Sequence, residues 1–129
     1  MKKLLLLLFL LAPATLLAQS KLNDIYSTSE TVVGEWFGSA LYRKCFVAAT
    51  FPNNSTIQIA HGISGLTNDE AIFVYGRGND AAGDMRSLPL VWPSATLPIG
   101  LTVDATYIEL YSAGDWGVWS GHVCLEYVK

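Results

Sequence analysis

Charge and reactive side chains are both scarce in this chain: of 129 residues, 15% are charged, two are cysteine and two are histidine. A tetrahedral metal site would need Cys45, Cys124, His61 and His122 together, and neither CxxC nor HxxxH spacing occurs. No metal or cofactor is therefore expected. Basic residues are few, and the densest basic feature is the pair Arg43-Lys44. Phosphate backbones and anionic membrane surfaces both require clustered Lys and Arg, so neither is an expected partner. GxSxG, HExxH, a Walker loop and a complete Rossmann fingerprint are all missing; Gly76-Arg77-Gly78 resembles part of a phosphate loop but precedes no amphipathic helix. No stretch keeps a helical period for three turns, which excludes a helical bundle. The length supports one hydrophobic core and excludes a multidomain enzyme.

Apolar residues are abundant, but they are unevenly placed. Residues 1–18 hold 14 of them, including nine leucines, and without this segment the hydrophobic share falls from 51% to 47%, ordinary for a globular domain. Lys2 and Lys3, the run from Leu4 to Leu11, Pro13 and the small residues up to Ala18 read as an export signal, with cleavage placed after Ala18. A retained membrane anchor is the alternative, but a bilayer span needs about 20 apolar residues, so no stable span is expected once the signal is removed. The expected organisation is a signal peptide at 1–18, a short extension at 19–25 and one domain at 26–129. Loss of Lys2 and Lys3 takes the net charge from −3 to −5, and the destination is the periplasm, the cell surface or the medium.

The remaining chain alternates short β-branched and aromatic runs with Gly, Asn, Asp and Pro clusters. The expected strands are 31–36, 41–49, 56–60, 71–75, 88–92, 101–103, 106–112 and 121–128. The expected breaks fall at Gly38-Ser39, Pro52 to Asn54, Gly62 to Asn68, Gly76 to Gly83, Pro93 to Gly100 and Gly114-Asp115. About eight short strands predict an all-β fold, a two-layer antiparallel β-sandwich or jelly roll. Ser27 to Glu30 has capping-box spacing, but Gly34 follows too soon for a stable helix, so the segment reads as extended.

Two cysteines in an exported chain predict a disulfide between Cys45 and Cys124; the alternative is two reduced thiols packed as small apolar groups. If these residues stand opposite each other in antiparallel strands, Arg43 falls opposite Glu126 and Val47 opposite His122 on the cysteine face. Tyr42 then meets Tyr127 and Phe46 meets Val123 on the other face, where Lys44 opposite Leu125 fits less well.

His61, at a strand end before Gly62, reads as a turn-bonding histidine rather than a general base, because no nucleophile motif accompanies it. Among Asp80, Asp84, Asp104, Glu109 and Asp115, several lie in turn-forming clusters, which suits local structure better than paired carboxylate catalysis. The four tryptophans are more suggestive. Trp116 and Trp119 lie in the glycine-flanked segment Gly114 to Gly121, which reads as a contact loop, with Asp115 and Tyr111 as further binding candidates. The alternative is that both rings fold back to cap the sandwich. Trp36 and Trp92 read as structural.

Tyr26-Ser27-Thr28, Glu30, Val32-Val33-Gly34, Trp36, Gly38 and Tyr42-Arg43-Lys44, followed by Ile59 to Ser64 and Leu125 to Lys129, resemble in order a small module found at the C-termini of bacteriophage and prophage tail or minor structural proteins. The resemblance implies a β-sandwich of a virion structural protein, trimeric at a tail or fibre tip and contacting the host surface. Such modules normally follow a shaft or baseplate-binding region, whereas here an export signal occupies that place. No catalytic or ligand-binding residue comes with the resemblance. The functional expectation is a non-enzymatic, exported structural or receptor-binding module, self-associating with a homotrimer favoured, that contacts a cell-surface glycan or protein. A purely structural, self-assembling virion or envelope component is the alternative, and a small secreted hydrolase the least favoured.

Overall fold

The structure, a computed structural model, describes residues 25–67, 69–90 and 98–129. The leader, most of the 19–25 extension, Asn68 and Trp92 lie outside the described residues. Eight strands form: β1 (Thr31–Trp36), β2 (Ser39–Ala48), β3 (Asn53–Ala60), β4 (Ala71–Asn79), β5 (Met85–Leu88), β6 (Ile99–Val103), β7 (Tyr107–Asp115) and β8 (Ser120–Tyr127). They build two antiparallel sheets, a five-stranded one in the order β1-β2-β8-β4-β5 and a three-stranded one in the order β3-β7-β6. The expected all-β sandwich is what forms.

Alternation decides which side chains enter the core. Phe46 and Ala48 of β2 and Val123, Leu125 and Tyr127 of β8 face Ile99, Ile108 and Leu110 of the smaller sheet, with Phe51, Ile63, Leu66, Leu88 and Trp116 closing the periphery. The register of β2 on β8 is the one derived from the cysteines: Cys45 is opposite Cys124, Arg43 opposite Glu126 and Val47 opposite His122. Cys45 and Cys124 are disulfide-bonded with Cα atoms 4.0 Å apart. The ill-fitting Lys44 also has an explanation. Its Nζ donates to the His61 carbonyl at 3.0 Å and lies 5.3 Å from the centroid of the Phe46 ring, so the charge is held by a carbonyl and an aromatic face.

Several expected boundaries are corrected: Ser39 belongs to β2, and Asn53 and Asn54 belong to β3, rather than to the breaks expected there. The expected strand 88–92 is replaced by β5, which ends at Leu88; Leu90 makes only an isolated bridge to Ile99. Met85 to Leu88 lacks the β-branched signature and is extended because it pairs with Gly76 to Asn79. The expected break at Gly76 is interior to β4, where a β-carbon at Gly78 would lie 2.3 Å from Phe51 and one at Gly76 2.6 Å from the His122 carbonyl oxygen. These glycines admit close packing rather than a loop, and the turn comes later, where Asp80 Oδ1 accepts from the amides of Ala82 and Asp84. The expected break at Gly114-Asp115 belongs to β7, and Gly100, placed in a break, belongs to β6. Ser27 to Glu30 is not helical: the Ser27 hydroxyl accepts from the Ser29 amide in a local turn.

Candidate functional site

The tryptophan loop folds inward. Trp116 is only 6% exposed and belongs to the core, and Trp119 packs edge-on against it with ring centroids 5.1 Å apart. The loop is pinned from below, since the Trp116 amide donates to the Pro52 carbonyl and the Phe51 amide to the Trp119 carbonyl. Arg86 lies over the outer face of Trp119. Asp115 accepts from the Gly117 amide at 2.9 Å and so shapes the turn. Of the two readings of this loop, the one in which the rings fold back to cap the sandwich is what forms, and the return is closed by the Trp119 amide donating to the Trp116 carbonyl. Val118 projects as the exposed apolar side chain of the loop, beside exposed Asp115 and Gly117.

His61 is 1% exposed, and both its ring nitrogens are engaged. Nδ1 accepts from the Ile63 amide at 3.1 Å, which leaves the proton on Nε2, 3.1 Å from the Asp104 carbonyl it donates to. The ring ties the end of β3 to the β6–β7 turn. Asp104 shapes that turn in its own right: hydrogen bonds from the amides of Tyr107 and Thr106 hold its carboxyl below the usual carboxylate range. Among the described residues no three His, Cys, Asp or Glu side chains converge as a metal site, and no helix is long and apolar enough to cross a membrane.

Tyr111, by contrast, is presented. It stands on the outer face of the three-stranded sheet, 49% exposed, with its ring laid against Gly100 on the neighbouring strand. A β-carbon at position 100 would lie 2.0 Å from the ring Cζ, so only glycine permits this pose. On the other side Thr56 stands opposite Tyr111, and a bulge between Asn53 and Ser55 leaves Asn54 in a left-handed conformation at φ 46°. Asn54, Ser55, Thr56, Tyr111, Ser112 and Ala113 line an open groove of about 490 Å³. One row along, Glu109 is held by Gln58 Nε2 at 2.6 Å and Thr102 Oγ1 at 3.4 Å. The face thus carries an aromatic platform among hydroxyls, amides and one ordered carboxylate.

The five-stranded sheet has a different outer face. Arg43 and Glu126 approach to 3.8 Å, and the Tyr75 hydroxyl donates to the same Glu126 oxygen at 2.9 Å; burial pushes the Tyr75 phenol up. The disulfide beside them is covered by the N-terminal segment, where the Ser27 carbonyl accepts from the Cys45 amide and Tyr26 tilts against His122. Towards the β1–β2 turn, Trp36 meets Phe37 and Phe73 edge-on, and all three are exposed. Trp36, expected to be structural, therefore belongs to a surface aromatic cluster. The β1 bulge between Val32 and Gly34 places Trp36 opposite Ser39, on the outer face.

Comparison with protein-family models, with curated proteins and with solved structures returns no match to this chain.

Proposed function

We propose that this chain is a non-enzymatic, exported recognition module of the virion structural type, which binds a cell-surface glycan on the outer face of its three-stranded sheet. The observation that carries this reading is the Tyr111 ring, half exposed, held by Gly100 and bordered by the polar groups of Asn54, Ser55 and Thr56. A sugar ring offers an apolar C–H face and a rim of hydroxyls. An aromatic platform answers the first and short hydroxyl and amide side chains answer the second, without the deep apolar enclosure that a drug-like ligand needs. The engagement of His61 by two backbone groups weighs against a hydrolase. The resemblance to tail modules supports a place at a virion or cell surface, and the leader at 1–18 supports export.

Binding of the mature protein to intact cells and to a glycan array tests the proposal, with Tyr111→Ala as the variant. Loss of binding with an unchanged melting temperature supports it; unchanged binding rejects it. A second reading, a purely structural and self-assembling component, is favoured by the exposed Trp36, Phe37 and Phe73 cluster, since exposed aromatic groups mark protein interfaces.

A further inference from the structure

On β7, the central strand of the three-stranded sheet, residues two apart share a face. Ile108, Leu110 and Ser112 are buried on the core side, which leaves Tyr107, Glu109 and Tyr111 on the outer side. Four residues separate the two tyrosines, so their backbone anchors lie roughly 13 Å apart along the strand. Between them Glu109 is fixed from both neighbouring strands, by Gln58 of β3 and Thr102 of β6. The residues opposite the tyrosines are small: Ala60 faces Tyr107, and Thr56 and Gly100 face Tyr111. The groove of about 490 Å³ adjoins the Tyr111 end, and a second hollow of about 260 Å³, lined in part by Ala60 and Thr106, adjoins the Tyr107 end. The binding surface is therefore longer than the Tyr111 platform and runs along the strand.

Charge on this face has one sign. β3, β6 and β7 contain no Lys or Arg, while β7 carries Glu109 and Asp115 on the outer side. Arg43, Lys44, Arg77, Arg86 and Lys129, the basic groups among the described residues, belong to the five-stranded sheet or the C-terminus. A carboxylate or sulfate laid along β7 would meet Glu109 with no cation to answer it, and like charges so placed oppose binding. Neutral hydroxyls suit the same group. Gln58 and Thr102 each occupy one site on a different Glu109 oxygen, and a carboxylate offers about four, so acceptor capacity remains for charge-assisted bonds from sugar hydroxyls. Glu109 also weighs against a protein partner, because the centre of a protein interface is depleted of charged residues and a carboxylate buried there without new donors is costly.

We propose that the site takes an extended, uncharged oligosaccharide lying along β7, with one sugar ring on Tyr111, another on Tyr107 and hydroxyls between them on Glu109, and that it rejects glycans bearing carboxylate or sulfate groups. This rests on the reading of Tyr111 as a glycan platform and adds to it a second platform and a substrate class. A span of roughly 13 Å exceeds a single sugar ring, so affinity grows with chain length until both tyrosines are covered.

A glycan array carrying neutral oligosaccharides from disaccharide to hexasaccharide beside sialylated, sulfated and uronate-containing ones tests the inference, with calorimetric titration of the sugars that bind. The mature wild type should select neutral sugars, and affinity should rise roughly tenfold or more from the disaccharide to the hexasaccharide of one series. Tyr107→Ala should erase that rise, so that hexasaccharide and disaccharide bind alike. Glu109→Gln keeps the shape and removes the charge; it should narrow the preference for neutral over acidic sugars roughly tenfold, and added salt should narrow it in the wild type. The inference is overturned if acidic sugars bind the wild type as tightly as neutral ones, if chain length brings no gain, or if Tyr107→Ala or Glu109→Gln behaves like the wild type. Any of these with binding still lost in Tyr111→Ala leaves the single platform standing. An array without a hit, or binding that survives Tyr111→Ala, overturns the platform and this inference together.

Discussion

Tyr111 occupies the space in which a side chain at Gly100 would have to stand: a β-carbon there would come within 2.0 Å of the ring Cζ and 2.3 Å of the hydroxyl oxygen. The aromatic platform and the glycine beneath it are one unit.

Gly100→Ala should therefore displace the ring and reduce surface binding, with a loss of roughly 1–3 kcal/mol in stability from overpacking. Tyr111→Ala should reduce binding without that loss. Thermal melts paired with cell or glycan-array binding distinguish the two. Equal binding by all three proteins would remove the platform from consideration.

Trp116→Ala should be a stability mutation. A tryptophan 6% exposed in the core costs about 3–5 kcal/mol on truncation. Val118→Ser, on the exposed tip of the same loop, should stay within about 0.5 kcal/mol of the wild type. Urea denaturation measures both, and a near-neutral Trp116→Ala would contradict the inward-folded loop.

His61→Ala should cost roughly 2–4 kcal/mol, because it leaves the Ile63 amide and the Asp104 carbonyl without their buried partner and opens a cavity. Asp104→Asn in the adjacent turn should cost less, since that side chain is exposed. A tolerated His61→Ala would show that the β3 end and the β6–β7 turn hold together without the ring.

Reduction of the Cys45–Cys124 bond should lower stability by about 2–4 kcal/mol, as a cross-link between residues 79 apart constrains the unfolded chain strongly. The β2–β8 register should survive, because Arg43 with Glu126 outside and Phe46 with Val123 inside specify it independently. Non-reducing mass spectrometry of the exported protein, then hydrogen exchange before and after reduction, checks both statements.

Acid should destabilise the N-terminal strand through Glu30. Hydrogen bonds from Lys129 Nζ and the Tyr127 hydroxyl hold its carboxyl below the ordinary value of 4.5. With the folded pKa depressed, the unfolded chain binds more protons in that window. The contribution is complete above pH 4.5 and disappears as pH falls through the folded value. Burial and the same Glu30 raise the Tyr127 phenol, so a second loss begins above pH 10, where the unfolded tyrosine ionises first. Melts of the wild type and Glu30→Gln between pH 3 and 6 should show a shallower acid slope in the variant, and equal slopes would refute the assignment.

Much of this was legible in residue pattern alone. With Cys45 placed opposite Cys124, alternation specified the pairs between β2 and β8. Asp80, Asp104 and Asp115, read as turn formers, each accept hydrogen bonds from amides two to four residues ahead. Those are local or two-strand matters, set by a period of two and by side chains that reach their own backbone.

Contacts between layers were not legible. Gly76, Gly78 and Gly114 look alike in sequence as loop formers, yet each lies in a strand, and it is the Phe51 ring that requires Gly78 to be bare. The inward turn of Trp116 and the outward display of Phe37 depend on which elements arrive beside them, not on their neighbours in the chain. The amino-acid sequence determined the fold class and, once Cys45 is paired with Cys124, the central register, because these follow from alternation along single strands. Tertiary structure alone decided which aromatic rings face water, because exposure depends on the surface left uncovered when two sheets of unequal width close on one another.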